Sequence, residues 1–146
     1  MYAKIDGSTV EKYPYTFRNL QTDNPNVSFP HPLPADIKAD YNVADVNENA
    51  KPDFDPLTEN IIETAMTVVD GVAQINYAKE AASTADQKIR VRDHRNSMIE
   101  RSDYMALSDV TMSDEWTTYR QALRDVPQQE GFPANVTWPD QPDQTE

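Results

Sequence analysis

Two histidines are the natural starting point for acid–base chemistry near neutrality. His31 sits between Pro30 and Pro32, where the backbone is fixed but no neighbouring side chain activates the ring. His94 follows Asp93 in a helical stretch, and adjacent helix positions point about 100° apart, so the two form no dyad by themselves. Both histidines therefore read as surface or packing residues. Asp45-x-Asn47-x-Asn49 matches the first three ligand positions of a calcium loop. The pattern then breaks, because Ala50 stands where the loop needs Gly and Pro56 where it needs a bidentate Glu. With no cysteine and two distant histidines, zinc and thiolate chemistry have no ligands to work with. The expectation is a chain without catalytic, cofactor-binding or metal-binding residues, and without a cofactor.

Charge is the stronger signal. Thirteen Lys and Arg face 25 Asp and Glu, a net charge of −12 over 146 residues. Such a field repels phosphate, which argues against nucleic acid as a partner. From Asp36 to Asp70 there are nine acids and two bases, the composition of a solvated surface. The one basic concentration is Lys88, Arg92 and Arg95, spaced four and three, so that they share a helix face, with Arg90 and Arg101 on others. That face is suited to pairing with the acidic region within the chain or between chains, or to docking an acidic partner. No apolar run is long enough to span a bilayer and no apolar leader opens the chain, so no membrane is expected.

The elements that must position these residues fall into two styles. In the first 77 residues, Asp6-Gly7 predicts a type I′ hairpin turn between Tyr2–Ile5 and Thr9–Tyr13, closed by Pro14. Thr16 predicts a cap for a short helix over 17–22, and Pro34 starts another over 35–41. Val43–Val46 reads as a strand and 47–59 as a polar loop. Ile61–Val69 and Val72–Tyr77 flank Asp70-Gly71 as a second hairpin. From Ala78 to Met105 good helix formers take over, with Thr84 and Gln87 as a capping box. Ser113 caps a second helix, on which Trp116, Tyr119, Leu123 and Val126 recur on one face until Pro127 stops it. The Ala-rich start (Ala78, Ala81, Ala82, Ala85) permits close approach, and an intrachain antiparallel hairpin is favoured over an interchain coiled coil. The expected fold class is α+β. A β-rich N-terminal part with two hairpins and short helices (1–77) precedes a helical hairpin (78–127) and an extended, Pro-rich strap (128–146).

Two stretches carry a resemblance. Tyr13-Pro14-Tyr15-Thr16-Phe17 with Asp23-Asn24-Pro25-Asn26-Val27-Ser28-Phe29-Pro30 resembles the start of small proteins of tailed-phage tail modules, especially of marine phages. Further on come Arg95-Asn96-Ser97-Met98-Ile99, Ser102-Asp103-Tyr104-Met105-Ala106-Leu107-Ser108-Asp109 and Trp116-Thr117-Thr118-Tyr119-Arg120-Gln121-Ala122-Leu123-Arg124-Asp125-Val126-Pro127. With Gly131-Phe132-Pro133, Val136 and Trp138-Pro139 they resemble the C-terminal module of phage tail-fibre assembly (tail assembly chaperone) proteins. The module usually carries Trp where this chain has Tyr104, which keeps an aromatic anchor with less buried area. The resemblance implies a non-enzymatic structural or assembly role in a phage tail and fits both a subunit that stays and a chaperone that leaves; the expectation is a tail protein made in the host cytoplasm and carried in several copies in the virion tail. Its partners would be fibre, baseplate or adaptor subunits; the alternative is a soluble assembly chaperone that leaves the particle. The expected interface residues are Tyr13, Tyr15, Phe17, Phe29, Arg92, Arg95, Trp116, Tyr119, Phe132 and Trp138. The competing expectation is that these aromatics complete the chain's own small core.

Overall fold

In the computed structural model, residues 1–106 and 111–143 are described; the motif residues Leu107, Ser108 and Asp109, and the C-terminal Glu146, lie outside them. The fold is α+β, and the chain divides into two compact units. One unit comprises Met1–Phe54 with Ile61–Glu80; the other comprises Asp55–Asn60 with Ala81–Glu146.

The first unit is a five-stranded sheet in the order β2-β1-β3-β5-β4. Its strands are β1 (Tyr2–Asp6), β2 (Thr9–Tyr15), β3 (Val43–Glu48), β4 (Glu59–Val69) and β5 (Val72–Ala81). β1 runs antiparallel to both β2 and β3, and β3 runs parallel to β5. Helices α1 (Phe17–Asp23) and α2 (Ala35–Asp40) lie between β2 and β3 in sequence. Thr16 and Asn19 form the capping box of α1, each side chain taking the other's backbone N–H. Asn42 follows the end of α2 with φ +52, the left-handed position that Asn tolerates.

Alternation along the strands sorts the core into two clusters. Tyr15, Leu20, Phe29, Leu33 and Val43 are buried together, with Tyr2, Phe17, Ile37 and Tyr41 against them. On the other cluster Ala3, Ala44 and Ala73 have almost no exposed surface and are flanked by Ile5, Val10, Val46 and Met66.

Several expectations are corrected here. The first turn is Gly7-Ser8, not Asp6-Gly7: Asp6 pairs with Thr9, and only Gly7 has positive φ, the type II′ pattern. Pro14 does not end β2, which continues to Tyr15, because β2 is an edge strand and its pairing with β1 is bulged there. The second turn is Asp70-Gly71 as expected, with φ +50 and +75. β5 runs to Ala81, so Ala78 and Ala81, expected at the start of the helix, belong to a strand. The Asp45-x-Asn47-x-Asn49 stretch is not a loop; β3 covers Asp45 and Asn47, and Asp45 pairs with Lys38 at 2.7 Å.

In the second unit α3 (Thr84–Glu100) begins one residue earlier than a Thr84 cap would place it. Ser83 is the cap, accepting from the Asp86 N–H and donating to its carboxylate at 2.6 Å. α4 (Asp114–Asp125) is capped by Ser113 and buries Trp116, Tyr119 and Leu123 as its spacing predicts. Met98, Ile99, Met105, Met112 and Trp138 pack around that cluster. The C-terminal segment is not a simple extended strap. A 3-10 turn over Val126–Gln128 and turns through residues 130–134 precede the extended residues. Gln129 then clamps Thr137, taking its N–H and donating to its carbonyl, both at 2.8 Å.

Candidate interaction face on the second unit

α3 is tied to residues 55–60 by Arg90. Its guanidinium donates to the Pro56 carbonyl at 3.2 Å, the Glu59 carbonyl at 3.0 Å and Asn60 Oδ1 at 2.7 Å. Gln87, buried beside it, donates to the Ala82 carbonyl at 2.7 Å. These contacts orient one side of the helix. A second side, carrying Met98 and Ile99, faces the α4 cluster. The side left outward carries Lys88, Ile89, Arg92 and Asn96, all exposed, with Arg95 at its border.

The C-terminal segment builds the base of this face. The Arg92 guanidinium lies over the Phe132 ring, 5.5 Å from its centroid. Two residues on, and so on the opposite side of the helix from Arg92, the His94 ring meets Trp138 edge-on at 4.8 Å. Phe132 is placed by a tight loop in which the Asn135 N–H donates to the Gly131 carbonyl at 2.7 Å. Gly131 is needed there, because a Cβ would lie 2.1 Å from the Asn135 carbonyl oxygen. Arg95 donates to Asn96 Oδ1. Among the described residues Lys88, Arg92 and Arg95 make no ion pair. A single helix face thus holds three cations in a chain of net charge −12.

Beneath it Arg120 locks the corner between the helices. It is 6% exposed and donates to Ile99 O at 3.2 Å, to Ser102 Oγ and to Asp103 Oδ1 at 2.8 Å. A groove of about 560 Å³ runs along the far side of α4, floored by Tyr119, Ala122, Pro139 and Pro142 and rimmed by Asp114, Glu115, Asp140 and Asp143.

The ten interface candidates are distributed unevenly. Trp116 and Tyr119 are core residues of the second unit, their rings perpendicular at 5.6 Å. Tyr15 and Phe29 are core residues of the first, with Phe17 half-buried against Phe29. The Tyr15 hydroxyl donates to Asp23 at 2.7 Å; burial and that carboxylate together push its pKa up. Tyr13 is 39% exposed. Of the remaining candidates Arg92 and Phe132 are brought together; Trp138 meets His94 and packs against the α4 cluster, and Arg95 contacts Asn96. Arg90, Arg120 and Gly131 were not singled out by sequence as positioning residues. For Arg90 the available signal was its place off the Lys88–Arg92–Arg95 stripe.

Residues 88–143 match the family model for phage tail assembly chaperone proteins. No curated protein and no solved structure matches the chain. The matched stretch takes in α3 from Lys88 onward, α4 and the C-terminal segment, so every residue of the face, Phe132 included, lies within it. The tail-assembly resemblance read from Arg95 to Pro139 falls wholly inside the same limits, whereas Tyr13–Pro30 falls outside them. No described helix is long and apolar enough to cross a membrane.

Proposed function

We propose that this protein acts in phage tail assembly through non-covalent contacts with other tail proteins, without catalysis, and that it stays in the particle in several copies beside the fibre or baseplate. The observation that carries this reading is the cationic face of α3, with Arg92 held over the Phe132 ring, within the matched stretch. Three cations without ionic partners on a fixed helix suit an acidic surface of a neighbouring subunit, and Arg over an aromatic ring is a common interface anchor. The residues whose types invited chemistry are spent on structure. His31 packs edge-on against Phe17 at 5.2 Å, His94 against Trp138, and Asp45 pairs with Lys38.

A second reading has the protein escort fibre subunits and then leave, and the description of the matched family favours it. Mass spectrometry of washed particles, with deletion of the gene in parallel, separates the two. Peptides retained in particles support the tail component. Fibreless particles that never contained the protein support the chaperone. Normal, infective particles after deletion reject both.

A further inference from the structure

The two edges of the sheet are built differently. β2 is blunted by Lys12, Pro14 and a bulged pairing, all devices that discourage further strands. β4 has none of these. Its 11 residues contain no Pro, Lys or Gly, and Ile61, Ile62, Thr64, Thr67, Val68 and Val69 give it strong strand character. Val69 is 52% exposed.

The hairpin fixes which backbone groups are open. With two residues in the turn, Val69 faces Val72, and the odd positions of β4 direct their N–H and C=O toward β5. The Asn76 side-chain amide of β5 donates to the Ala65 carbonyl at 2.9 Å, so this odd-position carbonyl does face β5. The even positions, Ile62, Thr64, Met66 and Val68, therefore aim their backbone groups away from the sheet. Among the described residues none of these groups bonds to a turn, loop or helix.

The charge pattern makes the strand compatible with a second copy of itself. Both acids of β4, Glu59 and Glu63, lie in its first half, and Thr64–Val69 is uncharged. Antiparallel pairing with an identical strand sets the acidic half against the neutral half. A two-fold axis at Thr64 places Glu63 opposite Ala65 and Glu59 opposite Val69. An axis at Ala65 places Glu63 opposite Thr67. In either register even positions meet even positions, so the open backbone groups face one another. We propose that β4 is a self-association edge, through which two copies of this chain join their sheets in an isologous antiparallel pair. This inference stands independently of the tail-assembly reading.

The chain has no cysteine, which makes the test direct. Thr64→Cys or Ala65→Cys in the full-length protein gives a disulfide-linked dimer under mild oxidation, since facing strand positions lie within disulfide reach. Glu11→Cys on the β2 edge does not. Thr64→Pro removes an outward N–H without touching the β5 ladder; it weakens the dimer by about tenfold or more in sedimentation equilibrium while far-ultraviolet circular dichroism is unchanged. If Thr64→Pro fails to fold, the cysteine variants decide. A wild-type chain that stays monomeric at every concentration, or one that cross-links equally at residue 11, overturns the proposal. A monomer that instead takes up a basic extended peptide at β4 overturns the choice of occupant.

Discussion

Arg120 ties α4 to the corner after α3. Its three acceptors, Ile99 O, Ser102 Oγ and Asp103 Oδ1, sit in the corner after α3, and the guanidinium itself is buried. Arg120→Met keeps the stem but leaves the corner without its donor. We expect a loss of about 2–3 kcal/mol in urea unfolding, with Arg120→Lys recovering only part of it because Lys lacks the planar fork. A loss below about 0.5 kcal/mol would sink this assignment. Tyrosine ionisation gives a second test at this scale. The Tyr77 hydroxyl donates to Glu48, and that bond, with lesser burial and charge contributions, pushes its pKa to about 12. Tyr15 and Tyr119 are also raised, both chiefly by burial. A group whose pKa is raised on folding contributes stability below its unfolded pKa and loses it as pH climbs through the folded one. Stability should therefore fall above about pH 10, the unperturbed tyrosine value, and continue falling through about pH 12 as Tyr77 ionises. In spectrophotometric titration Tyr77→Phe should remove part of the tyrosinate absorbance that develops near pH 12. The same Tyr77–Glu48 bond holds the Glu48 carboxyl below its ordinary value, so its stabilising contribution is present near neutrality and fades as the solution is acidified.

Elements were legible from the chain where local chemistry and tertiary context agree. Asp70-Gly71 needs two positive φ values and gets them; Trp116, Tyr119 and Leu123 repeat at helical spacing and are buried. Where the two conflict, context wins. Ala78, Lys79, Glu80 and Ala81 are good helix formers, yet they extend β5 because they continue a hairpin whose partner strand begins at Glu59. Ser83 and Thr84 are both competent caps, and the choice turned on Asp86 three residues beyond Ser83. The sheet order, with β3 parallel to β5, is a long-range fact that no local spacing encodes. The interaction face was half visible: Lys88, Arg92 and Arg95 announced a stripe, but Phe132 reaches Arg92 only through the Gly131–Asn135 loop. That loop is the element to break. Gly131→Ala forces the Asn135 carbonyl away and withdraws Phe132 from beneath Arg92. We expect a cost of about 1–3 kcal/mol and weaker capture of tail proteins, with the first unit intact by amide hydrogen exchange. Unchanged capture alongside measured loop opening would remove Phe132 from the face.

At the scale of the whole molecule, charge divides the two proposed associations. The chain carries −12, and the α3 face is its one cationic concentration. Docking of that face on an acidic tail protein is an attraction of opposite charges near the surface, so it weakens as salt shortens the screening length from about 8 Å at physiological ionic strength toward about 3 Å at 1 M. Pairing of two copies along β4 has the opposite sign. It rests on backbone hydrogen bonds and β-branched contacts, and the long-range term between two chains of −12 is repulsive. Salt relieves that repulsion, so the self-associated form should grow stronger over the same range. One titration of ionic strength, read by sedimentation for the pair and by pull-down for the tail complex, should move the two in opposite directions. Arg92→Glu should flatten the salt dependence of the tail complex and leave the pair unchanged, because Arg92 lies on α3 and not on β4. Parallel loss of both associations with rising salt would mean that a single charged surface serves for both, and β4 would no longer be needed to explain the pair.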